Sequence, residues 1–545
     1  MNAQTPPAPA PATWASLPRK SQLFILFLCR AVDFLQVASL QAYIFFQLKS
    51  FDAGLSDAAA SAQAGVLQGC FSGAQVVTAV LWGKASDAPW AGRKVVIMTG
   101  LMGTALSCVG YAFVKTFAWA VFWRIVGGGV NGTVGAVRTM VAENVAEKRF
   151  QSRAFLLLPL SFNVANVIGP RKSRGPSSEN AIIELTPSAM GGFLADAPTT
   201  LPRFFGRDAI FGFRWIQAYP YALPSLLNAV FLTLVSGLVF FCLEETSPER
   251  KDGYDLGLAI AARIRSRLSG APSSSGYSRV ETSDLGLGEE DSIVLNTAEV
   301  PATNQPTRQC RQKTRQKLPF HRIWTRNVIL ILLTTALFEF QLGAFANLWP
   351  LFLSTPRPAS GSAPLAGGLA FSAPKVGLGM SLLGLLGLPL QLALYPPLQA
   401  RLGTLRSYRY FLPLFSVAYL LAPMLAVLSP AALGGFVMWV GITLVAACQV
   451  LARTFTMPAG IMLLNNGSPH PSVLGTIHGL GQSVAAGFRT VGPVASGWLY
   501  GMGLNAGNVI IGWWGVAGVA VLCSVSALWV YEGTGHEIVL EGEEE

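Results

Sequence analysis

The chain has 545 residues, of which 52% are hydrophobic and only 12% are charged. Soluble proteins carry about twice that charged fraction, so the composition excludes an ordinary soluble domain and indicates a membrane protein. The formal charge of +11 comes mostly from short loops between apolar segments, which argues against nucleic-acid binding and points to orientation in a bilayer. The seven cysteines contain no CxxC pair, so we predict neither a structural metal nor disulfides. We also expect no cofactor.

Apolar segments of the length that crosses a bilayer, about 20 residues, recur along the whole chain. In chain order they are expected at 22–46, 61–83, 95–116, 118–141, 154–170 extended by 191–195, 220–243, 327–353, 375–397, 409–429, 434–464, 473–500 and 506–531. The pattern predicts an all-α membrane protein with twelve transmembrane helices in two six-helix halves, 22–243 and 327–531.

The remaining segments are polar. Residues 244–326 are rich in Ser, Pro and charge, which predicts a mostly disordered cytoplasmic linker between the halves. Residues 1–21 are expected to be disordered. Both they and the acidic tail 532–545 are expected to be cytoplasmic, because Lys and Arg are concentrated in the loops on that side. We expect a monomer in the plasma or vacuolar membrane, without enzymatic activity and without direct ATP coupling, since no P-loop pattern occurs.

The first segment, "QLFILFLCRAVDFLQVASLQAYIF", contains two charges. Arg30 and Asp33 are three residues apart and therefore share one helical face. Each charge costs about 2.5–3.5 kcal/mol at the bilayer centre, so such residues usually face a polar pathway. Asp33 is our candidate proton carrier, and a purely structural ion pair is the alternative.

The loop after the second segment reads "WGKASDAPWAGRKVV". Gly83, Asp87, Gly92, Arg93 and Lys94 resemble the signature loop of the major facilitator superfamily, in which Asp and the basic pair bridge neighbouring helix ends. The spacing between Asp and Gly is two residues longer than in the usual form. The small residue is expected to allow close helix approach, and the alternative is that the charges serve orientation alone.

The fourth segment, "FWRIVGGGVNGTVGAVRTMVAEN", resembles the fourth-helix motif of proton-coupled antiporters in that superfamily through Arg124 and the glycines after it. Its G-x-G-x-x-G pattern is not a dinucleotide site, because no strand precedes it. The glycines are expected to permit close helix packing. The sequence "VRT" at 137–139 recurs as "ART" at 452–454, a faint sign of a repeat between the halves.

Three charges in the C-terminal half are candidate cavity residues, namely Glu339, Arg453 and Arg489. For each of them, a structural ion pair is about as good an explanation as substrate contact.

The segments quoted above, with "NVANVIGP", "GGFLADAP" and "LLNNGSPHPSVLGTIHGLGQSVAAGFRTVGP", resemble the fungal and plant major facilitator group that includes zinc-induced-facilitator-like proteins and drug:proton antiporters. The resemblance implies alternating access and secondary transport of a small molecule, commonly by proton antiport. The alternatives are a sensor or transceptor that keeps the fold without transport, and a nutrient symporter.

The fifth segment departs from that family's pattern G-P-x-x-G-G. Gly169 and Pro170 are separated from Gly191 and Gly192 by twenty residues, 171–190, instead of two. The corresponding Gly492 and Pro493 in the eleventh segment are followed by a glycine after a few residues. Codons for the extra residues can contain splice-donor and acceptor sequences. We therefore expect 171–190 to be a translated intron, and the alternative is a genuine outer loop.

Overall fold

The structure is a computed structural model. It describes residues 17–88, 90–145, 148–167, 192, 194–200, 202–205, 213–247, 250, 253–269, 319–358, 364–428, 435–470, 473–533 and 538. The segment 171–190, with Gly169, Pro170 and Gly191, lies outside these residues.

The N-terminal half is built from helices joined by short turns. They are α1 (Lys20–Phe51), α2 (Asp57–Asp87), α3 (Gly92–Ala112), α4 (Phe117–Val130), α5 (Thr133–Asn144), α6 (Lys148–Val167) and α7 (Ala222–Cys242). Single helical turns at Ala197–Thr200, Pro202–Phe205 and Arg214–Ala218 precede α7.

A helix also occurs in the linker. This helix, α8 (Leu256–Ser269), begins where the Asp255 carboxylate accepts hydrogen bonds from the amides of Gly257 and Leu258, at 2.9 and 3.2 Å. Such capping satisfies amides that have no partner inside the helix. The first part of the linker is therefore helical, and residues 270–318 lie outside the described part.

The C-terminal half repeats the arrangement. Its helices are α9 (Arg326–Ser354), α10 (Ala373–Pro389), α11 (Tyr395–Leu402), α12 (Thr404–Phe411), α13 (Pro413–Leu421), α14 (Phe436–Asn466), α15 (Leu474–Asn505) and α16 (Ile510–Ala527). A π-helix, Leu390–Leu394, joins α10 to α11, and a 3₁₀-helix, Ala422–Val427, extends α13.

Within the described residues, nine helical segments are long and apolar enough to cross a membrane. The other expected spans fall on α4 with α5, on α6 and on α15. The predicted all-α membrane fold in two halves is thus confirmed, with one difference: the fourth span is two helices, because Asn131 and Gly132 interrupt it.

The halves meet most closely at one end of the bundle, where α2 packs along α15. A Cβ at Gly497 would stand 2.7 Å from the carbonyl oxygen of Ser61, and one at Gly501 would stand 2.7 Å from that of Ala58. Further toward the signature loop, Gly83 on α2 and Gly487 on α15 have open space at the same atom position. The structure is therefore closed at the end remote from the signature loop, and we call this the closed end.

Candidate proton and substrate site between the halves

Asp33 is a buried carboxylate with three side-chain partners, and only 6% of the residue is exposed. Arg30, one turn earlier on α1, forms a buried ion pair with its Oδ2. Asn131 Nδ2 donates to Asp33 Oδ1 at 2.6 Å, and Thr133 Oγ1 donates to Oδ2 at 3.2 Å. The Asp33 carboxylate therefore connects α1 to the end of α4 and to the start of α5.

The break in the fourth span supplies two of these partners. Asn131 ends α4 and Thr133 begins α5, so both side chains point from the break toward α1. The indole of Trp82 donates to the carbonyl oxygen of Gly129 at 2.8 Å, which satisfies a backbone group that the interrupted helix leaves without a partner. A Cβ at Gly132 would stand 2.7 Å from Trp82 Cγ, so glycine is required for this approach.

Arg124 lies on α4 and is also buried, with 6% exposure. Its Nε donates to the carbonyl oxygen of Leu67 at 3.3 Å and its Nη1 donates to Gln36 Oε1 at 3.4 Å. The guanidinium carbon of Arg124 lies 4.2 Å from the centre of the Phe71 ring. These contacts tie α4 to α1 and α2 without a carboxylate among the described residues.

Glu339 and Arg489 form the corresponding pair of the C-terminal half. Arg489 Nε and Nη2 both donate to Glu339 Oε2, at 2.8 and 2.7 Å. The Glu339 side chain is 9% exposed, whereas 43% of the Arg489 side chain is exposed. The pair joins α9 to α15 and presents its guanidinium to open space between the helices.

Arg453 on α14 reaches the other half. Its guanidinium carbon lies 3.7 Å from the centre of the Phe162 ring on α6, and Phe162 contacts Phe34 edge-on at 5.2 Å. A small pocket beside Arg453 is also lined by Asn163 and Gln391. Asn163 Nδ2 donates to Gln391 Oε1 at 2.7 Å, so the pocket lies where α6 meets the C-terminal half.

One residue of this region was missed by the sequence analysis. Arg138 on α5 donates from Nη1 to Gln482 Oε1 on α15 at 2.7 Å and so also bridges the halves. The signal in the sequence is an intramembrane cation in "VRT" that aligns with Arg453 in "ART".

The basic residues of the signature loop begin α3. Glu245 accepts hydrogen bonds from the Arg93 amide at 3.2 Å and the Lys94 amide at 2.9 Å, so its carboxylate caps the helix. Gly92 has φ +76°, and a Cβ there would stand 2.6 Å from Glu245 Oε2. Both the backbone conformation and the close carboxylate therefore require glycine at this position.

The side chains of the basic pair reach acidic partners on different segments. Arg93 Nη2 lies 2.9 Å from Glu143 Oε1 at the end of α5, and Lys94 Nζ lies 2.6 Å from Asp255 Oδ2 before α8. These two ion pairs therefore connect α3 to α5 and to the residue that precedes α8.

The two other residues of the signature loop are Gly83 and Asp87. Gly83 has open space where a Cβ would stand, so the close helix approach expected there is absent from this structure. The side chain of Asp87 lies outside the described part.

The glycine-proline positions of the packing motif lie at tight contacts wherever they are described. A Cβ at Gly492 would stand 3.0 Å from the Ala344 amide nitrogen, and the Pro493 carbonyl oxygen accepts a hydrogen bond from Asn347 Nδ2 at 3.0 Å. A Cβ at Gly192 would run into the carbonyl oxygen of Ala373 at the start of α10.

Helices that cross the bilayer in two repeated halves, with buried charges between them, define a multi-pass membrane transporter. The family model described as Major Facilitator Superfamily matches residues 23–171. Over these residues the chain is similar to that superfamily.

Relatives extend the similarity over nearly the whole chain. The "Major facilitator superfamily multidrug transporter mfsB" of Aspergillus fumigatus is 28% identical, over 95% of this chain and 84% of that protein. "Protein ZINC INDUCED FACILITATOR 1" of Arabidopsis thaliana is 23% identical, over 86% of this chain and 81% of that protein. These relatives confirm the predicted resemblance to the fungal and plant group.

Solved structures support the fold. A D-xylose-proton symporter superposes with a TM-score of 0.59 at 14% identity, covering 96% of this chain and 99% of that chain. The nucleoside transporter NupG superposes with a TM-score of 0.54 at 14% identity, covering 93% of this chain and 100% of that chain. Because these proteins are named for unrelated substrates, the fold does not identify a substrate here.

Proposed function

We propose that this transporter exports small organic molecules in exchange for protons, with Asp33 as the residue that binds the proton. The observation that carries the proposal is the burial of Asp33 among Arg30, Asn131 and Thr133. The name of the Aspergillus relative, a multidrug transporter, supports the export of organic compounds.

The mechanism follows from the contacts of Asp33. When its carboxylate takes up a proton, the attraction to Arg30 is lost and one acceptor site becomes a donor. Asn131 then faces a weaker acceptor, so the contact between α1 and the break in the fourth span loosens. The conformation described here has these contacts and is favoured when Asp33 is deprotonated. A second conformation without them would be favoured when Asp33 is protonated, and alternation between the two would couple proton binding to helix movement.

The closed end supplies the second element of the mechanism. α2 and α15 pack tightly there, while the opposite ends carry the Lys94–Asp255 and Arg93–Glu143 pairs within the N-terminal half and the linker. Rocking of one half against the other would open the closed end and expose the site to the opposite side of the membrane. We propose that the signature-loop end, with both termini, is cytoplasmic.

Transport in proteoliposomes tests the function. A drug-sensitive host strain that expresses the chain would first be screened for resistance to drugs, metals and organic acids. The purified full chain would then be reconstituted with a pH-sensitive dye inside the vesicles. Addition of the selected compound should move protons in the direction opposite to the compound. Movement in the same direction would indicate a symporter, and no proton movement for any compound would favour a transceptor.

Labelling tests the orientation. In a cysteine-free background, Gly276→Cys in the linker should react with a membrane-impermeant maleimide only after the cells are permeabilised. Labelling in sealed cells would contradict the cytoplasmic assignment of the linker.

A further inference from the structure

The linker helix α8 begins beside the end of a membrane-spanning helix. A Cβ at Gly257 would run into the carbonyl oxygen of Phe240, which lies in the last turn of α7. Because α7 is long and apolar enough to cross the bilayer, its last turn lies near the membrane surface. The start of α8 is therefore held at the depth where lipid headgroups meet the acyl chains.

The sequence of α8 is amphipathic. One face, at the spacing i, i+3, i+4, i+7 and i+11, carries Gly257, Ile260, Ala261, Ile264 and Leu268. Gly257 is buried against α7 at the start of this face, but 49% of Ile264 is exposed two turns later. Among the residues that the structure describes, the protein therefore covers only the beginning of the apolar face.

Basic residues flank the apolar face, and the sequence Leu256–Ser269 contains no acidic residue. Arg265 follows one edge of the face, and Arg263 and Arg267 follow the other edge. The side chains of Arg263 and Arg265 are exposed. Arginines beside an apolar face can lay their stems along it and place their guanidinium groups among lipid headgroups.

Two exposed aromatic side chains lie in neighbouring segments at the same end of the protein. Trp90 in the signature loop is 75% exposed, and Tyr254, two residues before α8, is 74% exposed. Arg250 joins these segments, since its Nη1 donates to the carbonyl oxygens of Trp90 at 3.1 Å and Ala91 at 2.7 Å. Trp and Tyr are enriched at membrane–water interfaces, so their exposure fits a surface that contacts lipid.

We propose that α8 is an interfacial helix that binds the anionic phospholipid surface beside the end of α7. Ile260 and Ile264 lie at the acyl-chain boundary, and Arg263 and Arg265 contact the phosphate groups. The uniformly positive charge of the helix favours anionic lipid as the occupant of this face. The inference goes beyond the proposed transport and depends neither on a substrate nor on proton exchange.

Asp255 connects the bound helix to the signature loop. Its Oδ1 accepts hydrogen bonds from the amides of Gly257 and Leu258 at the start of α8, and its Oδ2 lies 2.6 Å from Lys94 Nζ on α3. A helix that is held at the lipid surface keeps this carboxylate beside Lys94. Binding of anionic lipid to α8 therefore supports the position of the first residues of α3.

Spin labels on opposite faces of α8 test the proposal. In a cysteine-free background, Ile264→Cys or Ala262→Cys would be labelled with a nitroxide, and the full chain would be placed in nanodiscs of phosphatidylcholine, alone or with about one quarter phosphatidylserine. Both positions are exposed in the protein, so the membrane is what distinguishes them. With phosphatidylserine, the label at position 264 should be relaxed by oxygen, which concentrates in acyl chains, and protected from a water-soluble nickel complex. The label at position 262 should show the reverse.

Removal of charge should release the helix. Each arginine near an anionic surface favours binding roughly 5-fold, so Arg263→Gln combined with Arg265→Gln should lower the ratio of bound to free helix roughly 25-fold. Omission of phosphatidylserine should also lower this ratio. As the matched control, Arg322→Gln combined with Arg401→Gln removes the same charge from exposed side chains elsewhere and should leave the label on α8 unchanged.

Three results would overturn the proposal. Accessibility of both labels to the nickel complex in both lipid mixtures would show that α8 lies in water. Equal protection of the label at position 264 with and without phosphatidylserine, or with and without the two arginines, would show that charge does not select the lipid. Protection of that label from oxygen and from the nickel complex alike would show that protein covers the face, as the rest of the linker, 270–318, could do.

Discussion

The fourth helix of the N-terminal half is interrupted at Asn131 and Gly132, whereas its counterpart in the C-terminal half, α14, runs unbroken from Phe436 to Asn466. When the two are aligned on Arg138 and Arg453, the interruption falls on two alanines, 446 and 447. Alanine is the strongest helix former, while Asn and Gly favour helix ends. The difference in sequence therefore favours an interruption in the N-terminal half and a continuous helix in the C-terminal half.

The carboxylates of the two halves also differ in where their partners come from. Asp33 and Glu339 lie at similar depth in the first helix of each half, α1 and α9. The partner of Asp33 is one turn away, and the break in the fourth span adds two more donors. The partner of Glu339 comes from α15, and its guanidinium is partly exposed.

We infer from this comparison that the two halves have different roles. A carboxylate that is enclosed by donors of its own half can change contacts within that half when it takes up a proton. The Glu339–Arg489 pair joins α9 to α15 and has a partly exposed guanidinium, so it is better placed to contact a substrate. We therefore expect proton binding to depend on Asp33 in the N-terminal half and substrate binding to depend on the Glu339–Arg489 pair in the C-terminal half.

The largest effect should come from the two carboxylates. Asp33→Asn should abolish pH-driven transport, because the amide cannot take up the coupled proton. Glu339→Gln should lower the rate less, by roughly 10-fold, and keep its dependence on the pH gradient, since Arg489 is partly exposed and less dependent on its partner. Uptake into proteoliposomes at several imposed gradients measures both.

The amount of each variant in the membrane serves as the control for folding. Equal pH dependence of the Asp33→Asn variant and the wild-type protein would remove Asp33 from the proton pathway, and loss of pH dependence in the Glu339→Gln variant would reverse the assignment of the halves.

Local contacts were predictable from the sequence and distant ones were not. Segment length and apolar composition predicted the helical spans, and spacing within one helix predicted that Arg30 and Asp33 share a face. The Arg489–Glu339 pair joins residues 150 positions apart, and no periodicity connects them. The sequence analysis could identify each as a candidate but could not pair them.

The break at Asn131 and Gly132 was missed for a different reason. The fourth segment is apolar enough to be read as one span, and glycines are common in membrane helices. The break depends on the partners that Trp82 and Asp33 provide, and these come from α2 and α1. A helix interruption inside a membrane requires such tertiary partners, so it cannot be judged from the segment alone.

The closed end should respond to a single methyl group. A Cβ at Gly65 would meet the carbonyl oxygen of Pro493, so Gly65→Ala should disfavour closure by about 1–3 kcal/mol. Electron spin resonance distances between labels at Asp52 and Asn505, both exposed near this end, should then shift toward longer values.

Gly83→Ala is the matched control on the same helix, because open space surrounds that position. It should leave the distance distribution unchanged. A distribution for Gly65→Ala that equals that of the wild-type protein would show that closure does not depend on this contact.

The break itself should contribute an amount of stability of comparable size. Asn131→Ala gives the N-terminal half the alanine that the C-terminal half has at the aligned position and removes the donor to Asp33 Oδ1. We expect a loss of about 1.5–3 kcal/mol, as for a hydrogen bond to a charged group. Thermal unfolding in nanodiscs measures it, with Asn466→Ala as the control because that side chain donates to a carboxylate, Glu532, in a hydrogen bond that is exposed to solvent. Equal unfolding midpoints for the two variants would contradict the role of Asn131.

The smallest effect is expected for the fifth and eleventh membrane segments, which correspond to α6 and α15. In the eleventh, Gly492 and Pro493 pack against α9, and a glycine follows after a few residues. Deletion of 171–188 would leave Gly-Pro-Ala-Met-Gly-Gly in the fifth, which restores the spacing of the family. If these residues are a translated intron, the shortened chain should transport at least as well as the full one. Transcript sequencing and peptide mapping provide the independent check. A transcript that always retains these codons, together with loss of transport on deletion, would establish the segment as a genuine part of the transporter.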